Sequence, residues 1–157
     1  MKYARLTKEQ FEELHPEFTN FLAAQSIDKD EWDQLKKEQP HIAEQELDVF
    51  SDLIWEGVLN RAEYLEHFGK NYVFFFHCGE THIHSIILKT VGIDVDFLTR
   101  EGLQFLTDNL FSDQIEMKVG TKAYDNDDRN QAIFQLIQQG AFLSDGSRYR
   151  DLKEMIA

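Results

Sequence analysis

An α+β fold is predicted, with N-terminal helices packed on a small antiparallel β-meander and further helices at the C-terminus. Three observations predict it. Apolar residues recur at helical spacing to about residue 61, alternate from 62 to about 124, and return to helical spacing over 125–157. The 157 residues suffice for one domain with its own core. A single domain over 1–157 is therefore expected: a helical segment 1–61, a mainly antiparallel sheet with one inserted helix over 62–124, and C-terminal helices over 125–157.

Thr7 followed by Gln10 is a capping-box pattern, and Phe11, Leu14, Phe18, Phe21 and Leu22 then follow at helical spacing. Pro16 interrupts this run while the apolar face continues in phase, which predicts a kink or a tight joint with Pro16 in a first turn. Asp28 with Glu31 starts another helix carrying Trp32 and Leu35, and Pro40 ends or redirects it. Ile42, Leu47, Phe50, Ile54 and Val58 form the longest amphipathic stripe.

Three extended runs follow, marked by Tyr64, Leu65 and Phe68, then Tyr72 to Phe76, then Ile83 to Val91, separated by Gly69-Lys70-Asn71 and Gly79-Glu80. Leu98, Leu103, Leu106 and Leu110 restore the helical period, capped by Asp96 or Thr99. Ile115, Met117 and Val119 alternate with polar neighbours, predicting a fourth strand from Gln114 to Tyr124. Asp127 or Asp128 caps a helix from Arg129 to Gln139 that Gly140 stops, and a last short helix starts near Ser147.

Sixteen bases against 29 acids give a formal net charge of -13, so binding of nucleic acid through a basic face is not expected. Residues 1–60 hold 14 acids and 6 bases, the remainder 15 and 10. The excess on the helices is read as solvated outer faces opposite the apolar stripes. The single Cys78 forms no internal bridge, no basic-then-apolar leader stands at the N-terminus, and no apolar run is long enough to span a bilayer, so a cytoplasmic protein without membrane contact is expected.

The chemistry-bearing segment is His77-Cys78-Gly79-Glu80-Thr81-His82-Ile83-His84. Its meaning depends on hairpin register, because a slip of one residue sends every side chain to the other face. With Gly79-Glu80 central in a type II′ turn, His77 pairs with His82 and His84 lies beside them, a three-imidazole set fit for zinc or a similar ion. With a three-residue loop, Cys78 opposes His82 and the set becomes one thiolate and two imidazoles. A three-residue Gly69-Lys70-Asn71 loop adds His67 and Glu63 as carboxylate and imidazole support on the His77 face; a two-residue loop removes His67. The commoner role of imidazoles on a half-exposed sheet face needs no metal.

Other motifs fail on spacing. In Asp125-Asn126-Asp127-Asp128 a calcium loop is denied by Arg129, Asn130 and Leu136, and capping explains the acids better. Asp94 and Asp96 read as a turn and a cap. No phosphate-binding glycine loop, dinucleotide fingerprint or nucleophile elbow occurs.

The segments Lys2-Tyr3-Ala4-Arg5-Leu6-Thr7, Phe21-Leu22-Ala23-Ala24-Gln25-Ser26-Ile27-Asp28 and Phe50-Ser51-Asp52-Leu53-Ile54-Trp55-Glu56 resemble a family of small uncharacterised bacterial proteins, mainly over residues 1–65. That resemblance implies no activity and no catalytic residues. The expectation is an acidic interaction or regulatory domain without catalysis or cofactor, bound to a protein partner or to copies of itself. The alternative is a zinc-like metal protein or metal-dependent hydrolase using His77, His82, His84 and Cys78.

Overall fold

The computed structural model describes residues 1–156, which divide into two compact units, the first over 1–60 and the second from 61 onward. The first unit is helical. Helix α1 (Lys8–Glu13) starts on the expected capping box: the Thr7 hydroxyl accepts from the Gln10 amide and the Gln10 side chain accepts from the Thr7 amide. Leu14 ends α1 and is also the N-cap of α2 (His15–Ala23). Pro16 sits in the first turn of α2, where its missing N–H costs nothing. Asp28 caps α3 (Lys29–Glu38), and Pro40 opens α4 (Pro40–Arg61).

The apolar faces of these helices converge on two rings. Phe18 lies 5.0 Å from Phe50 and 5.3 Å from Trp32, and Phe21 and Phe11 close on Phe50 at 5.3 and 5.9 Å. Such edge and offset contacts add to the burial of the rings themselves. The polar side of α4 is not wholly given to solvent. Asp52 accepts from the Lys2 and Tyr3 amides, Ser51 from the Leu6 amide, Asp48 from the Arg5 guanidinium, and Glu56 from the Tyr3 hydroxyl. Acids at successive helical turns thus hold the N-terminal extension down and bury Leu6.

The second unit is built on a five-stranded antiparallel sheet in the order β4-β3-β2-β1-β5. Its strands are β1 (Tyr64–Phe68), β2 (Tyr72–Cys78), β3 (His82–Thr90), β4 (Ile115–Ala123) and β5 (Phe142–Ser144). The first four form the expected meander, interrupted between β3 and β4 by α5 (Arg100–Asp108), which Thr99 caps. Helix α6 (Arg129–Gln138) is capped by Asp128, and α7 is Ser147–Ile156. Sequence periodicity missed β5, which is only three residues long and pairs with β1.

Side-chain alternation gives the sheet two faces. Val73, Phe75, Ile86, Leu88 and Ile115 share the first and pack with Phe97, Leu106, Tyr149 and Leu152. Helices α5 and α7 therefore cover that face. On the second, Phe76, Ile83 and Ser85 look toward Ala132 and Leu136 of α6. No helix among the described residues is long and apolar enough to cross a membrane.

Candidate functional site

The histidine hairpin adopts neither expected register. Cys78 pairs with Ile83 and His77 with His84, so Gly79 and His82 are the last opposed residues and Glu80-Thr81 form the turn. His77 and His84 are direct cross-strand neighbours with ring centroids 5.7 Å apart, while His82 follows one step along on their face. The His77–His82 pairing is thus corrected by two residues. The alternative of Cys78 opposite His82 is also corrected: Cys78 belongs to the other face, so thiol and imidazoles are not brought together.

The β1–β2 hairpin departs similarly. Phe68 pairs with Val73 and the Gly69 amide donates to Tyr72, leaving Lys70-Asn71 as a two-residue turn. His67 therefore opposes Phe74, on the face away from His77. Glu63 stands just before β1, its carbonyl accepting from the Cys78 amide. The imagined support of His77 by His67 and Glu63 across one sheet face is not formed.

The imidazoles have other partners. Tyr64 stacks on His77 at 4.7 Å and 16°, and Tyr149 approaches both rings at 5.7 Å. His84 Nδ1 lies 2.9 Å from Thr121 Oγ1, and His82 Nδ1 lies 2.8 Å from Thr81 Oγ1. Burial depresses the His77 pKa, aided by the neighbouring His84 and Lys153 and opposed by Glu63. Among the described residues, no group of three or more His, Cys, Asp or Glu side chains is placed to hold a metal ion.

Cys78 is 4% exposed, and burial pushes its thiol up to about 11 against the pull of Arg129. A thiol held protonated in this way is a poor nucleophile at neutral pH. Arg129 does structural work beside it. Its guanidinium donates to the carbonyls of Ala62, Cys78 and Gly79, and the Tyr124 hydroxyl donates to Gly79 as well, at 2.8 Å. The start of α6 is thereby fastened to the tip of the β2–β3 hairpin.

The surface that stands out is the outer edge of β4. Its nine residues pair with β3 without a bulge, from Thr90–Ile115 to His82–Ala123, and among the described residues no strand lies on its other side. The Val91 amide donates to Gln114 and the Tyr124 amide to Thr81, which fixes the phase of the ladder. Even-numbered residues exchange hydrogen bonds with β3, so the N–H and C=O groups of Met117, Val119 and Thr121 point outward. Val119 is 65% exposed. The opposite edge, β5, is three residues long, the ordinary way to blunt an edge.

A cavity of about 390 Å³ lies next to this edge on the second face. Phe76, Ile83 and Leu136 make its apolar side; Asp125, Gln135 and Gln139 are among its polar groups. Gly120 opens onto it, since the absence of a side chain there leaves only Ser85 Oγ close by. Alternation had revealed β4 as a strand but not as an edge. The sequence sign of an edge was Lys118 and Lys122 on the polar face with Gly120 between them.

Comparison with curated proteins and with solved structures returns no match. The resemblance drawn over the helical first half does extend through the sheet and the last helices: the chain belongs to a family of unknown function, DUF6495, which matches it over residues 1–157.

Proposed function

We propose that this chain is an interaction protein that takes up an extended strand of a protein partner along β4. The observation that carries the reading is the nine-residue, bulge-free edge of β4, which pairs with no further strand among the described residues. Its outward amides and carbonyls supply the main-chain hydrogen bonds of strand addition, and alternate side chains on either face supply selectivity. Natural sheets protect such edges with bulges, prolines, short length or charge. Here only the charges of Glu116, Lys118 and Lys122 are present, and Val119 stands exposed among them.

The test is photocrosslinking in native cells with p-benzoylphenylalanine at position 119, against the same residue at position 111, an exposed site in the turn before β4. A protein adduct at 119 that is absent at 111 is the expected result. Adducts no more abundant at 119 than at 111 would overturn the reading.

A further inference from the structure

We propose that the strand received at β4 is β4 of a second copy, running antiparallel with Val119 of both copies on a two-fold axis. This rests on the reading of β4 as an interaction edge and names its partner. Val119 is the midpoint of Ile115–Ala123, and its N–H and C=O both point outward. A strand with that geometry at its centre can pair with itself through two equivalent hydrogen bonds and keep all nine residues engaged.

The side chains then decide between registers. Centred on Val119, the first face sets Val119 against Val119 and Met117 against Thr121. On the second face Glu116 stands opposite Lys122 twice, and Lys118 stands opposite Gly120. Opposite charges placed directly across an antiparallel pair are favourable, and like charges are not. A register centred on Met117 also sets Glu116 against Lys118 but engages only residues 115–119 of the strand, and the two adjacent registers fail the charge condition. Centred on Lys118, the pairing sets Lys118 against Lys118; centred on Gly120, it sets Lys118 against Lys122 twice. Gly120 has a further part, because the absence of a side chain there leaves space beside the cavity for the facing Lys118.

Charge on the whole molecule opposes self-association, since each copy carries -13. The strand itself differs from the rest: it holds Lys118 and Lys122 against Glu116, a small positive excess. Charges beyond about 8–10 Å are largely screened at physiological salt, so the local pattern governs the contact. The product is an isologous dimer with a continuous ten-stranded sheet.

Light scattering of the full chain across a concentration series tests this. The expected mass at the upper end is twice 18.5 kDa. Glu116→Lys sets Lys against Lys122 of the other copy, and Lys122→Glu sets Glu against Glu116, so each variant alone is expected to be monomeric. Mixed together they place a Lys opposite a Glu at both positions, and an equimolar mixture is expected to recover the dimer. That recovery excludes misfolding as the cause of the loss. A monomeric wild-type chain, or a dimer retained in both single variants, overturns the self-pairing. If position 119 then crosslinks a different protein, strand capture stands and only the identity of the partner falls. No protein adduct at 119 removes both.

Discussion

Replacing Cys78 by alanine changes how the second unit responds to alkali. The thiol is 4% exposed, and burial raises its pKa from 9.0 to about 11. Between those values the unfolded chain releases this proton and the folded chain keeps it. The folded state then binds more protons, and stability falls as pH rises. The contribution is present in full below about pH 9 and is lost by about pH 11, a difference of about 3 kcal/mol at 1.36 kcal/mol per unit. Removing the buried sulfur costs about 1 kcal/mol of apolar burial at neutral pH. The variant is therefore expected to be less stable at neutral pH and more stable at pH 11, with the two curves crossing between about pH 9 and 10. Tyr124 adds to the effect, because its hydroxyl is raised to about 12 by burial first and by the Cys78 charge second. Urea unfolding at fixed pH between about 7 and 11 measures the difference. Parallel curves for wild type and Cys78→Ala across that window would refute the reasoning.

Three further perturbations test other parts of the structure. His77 takes up its proton less readily folded than unfolded, so its contribution is present above about pH 6.5 and is lost as pH falls toward its lower folded pKa; His77→Phe should flatten the fall of the thermal midpoint on acidification. Arg148 is two-thirds exposed but bonds Glu66 at 2.8 Å, and the Glu66 side chain is only 2% exposed. Arg148→Met should cost about 2–3 kcal/mol by stranding that carboxylate, and Glu66→Leu added to it should recover most of the loss in a double-mutant cycle. Gly140 stops α6 at φ 116°, with His67 Nε2 3.0 Å from where a Cβ would lie; Gly140→Ala should cost more than about 1 kcal/mol in urea unfolding, and an unchanged midpoint would show that the turn relaxes freely.

The elements legible in the sequence were those set by local chemistry. Thr7 and Asp28 cap the helices expected of them, and Thr99 and Asp128 are the caps among the pairs Asp96 or Thr99 and Asp127 or Asp128, because a cap is a bond between residues three apart. Hairpin registers were not legible for a physical reason. Phe74-Phe75-Phe76 and Ile86-Ile87-Leu88 are apolar at consecutive positions, so alternation cannot say which residue opposes which. Turn geometry decided instead. In both hairpins the glycine, Gly69 or Gly79, is the last paired residue, and the turn falls on the two residues after it. The candidate site shared this fate: the histidines were visible, their pairing was not, and the edge position of β4 depends on a strand order that local periodicity does not reveal. Acids on α4 were expected to face water, yet Asp48, Asp52 and Glu56 receive the N-terminal extension, a tertiary use that charge counting does not reveal.

The long sequence separation of Glu66 and Arg148 predicts an order of assembly. Strands β1 to β3 follow one another through two-residue turns and can zip up locally, and β4 joins beside β3 after α5. The β1 edge is different, since β5 and the guanidinium of Arg148 come from far along the chain, the latter 82 positions away. Long loops close late because their entropy is spent before any contact rewards it. During refolding the Glu66 carboxylate should therefore spend time in a partly formed sheet without its cation. Pulse-labelling hydrogen exchange should find the β2–β3 amides protected before those of β5, and simultaneous protection of both would refute this order.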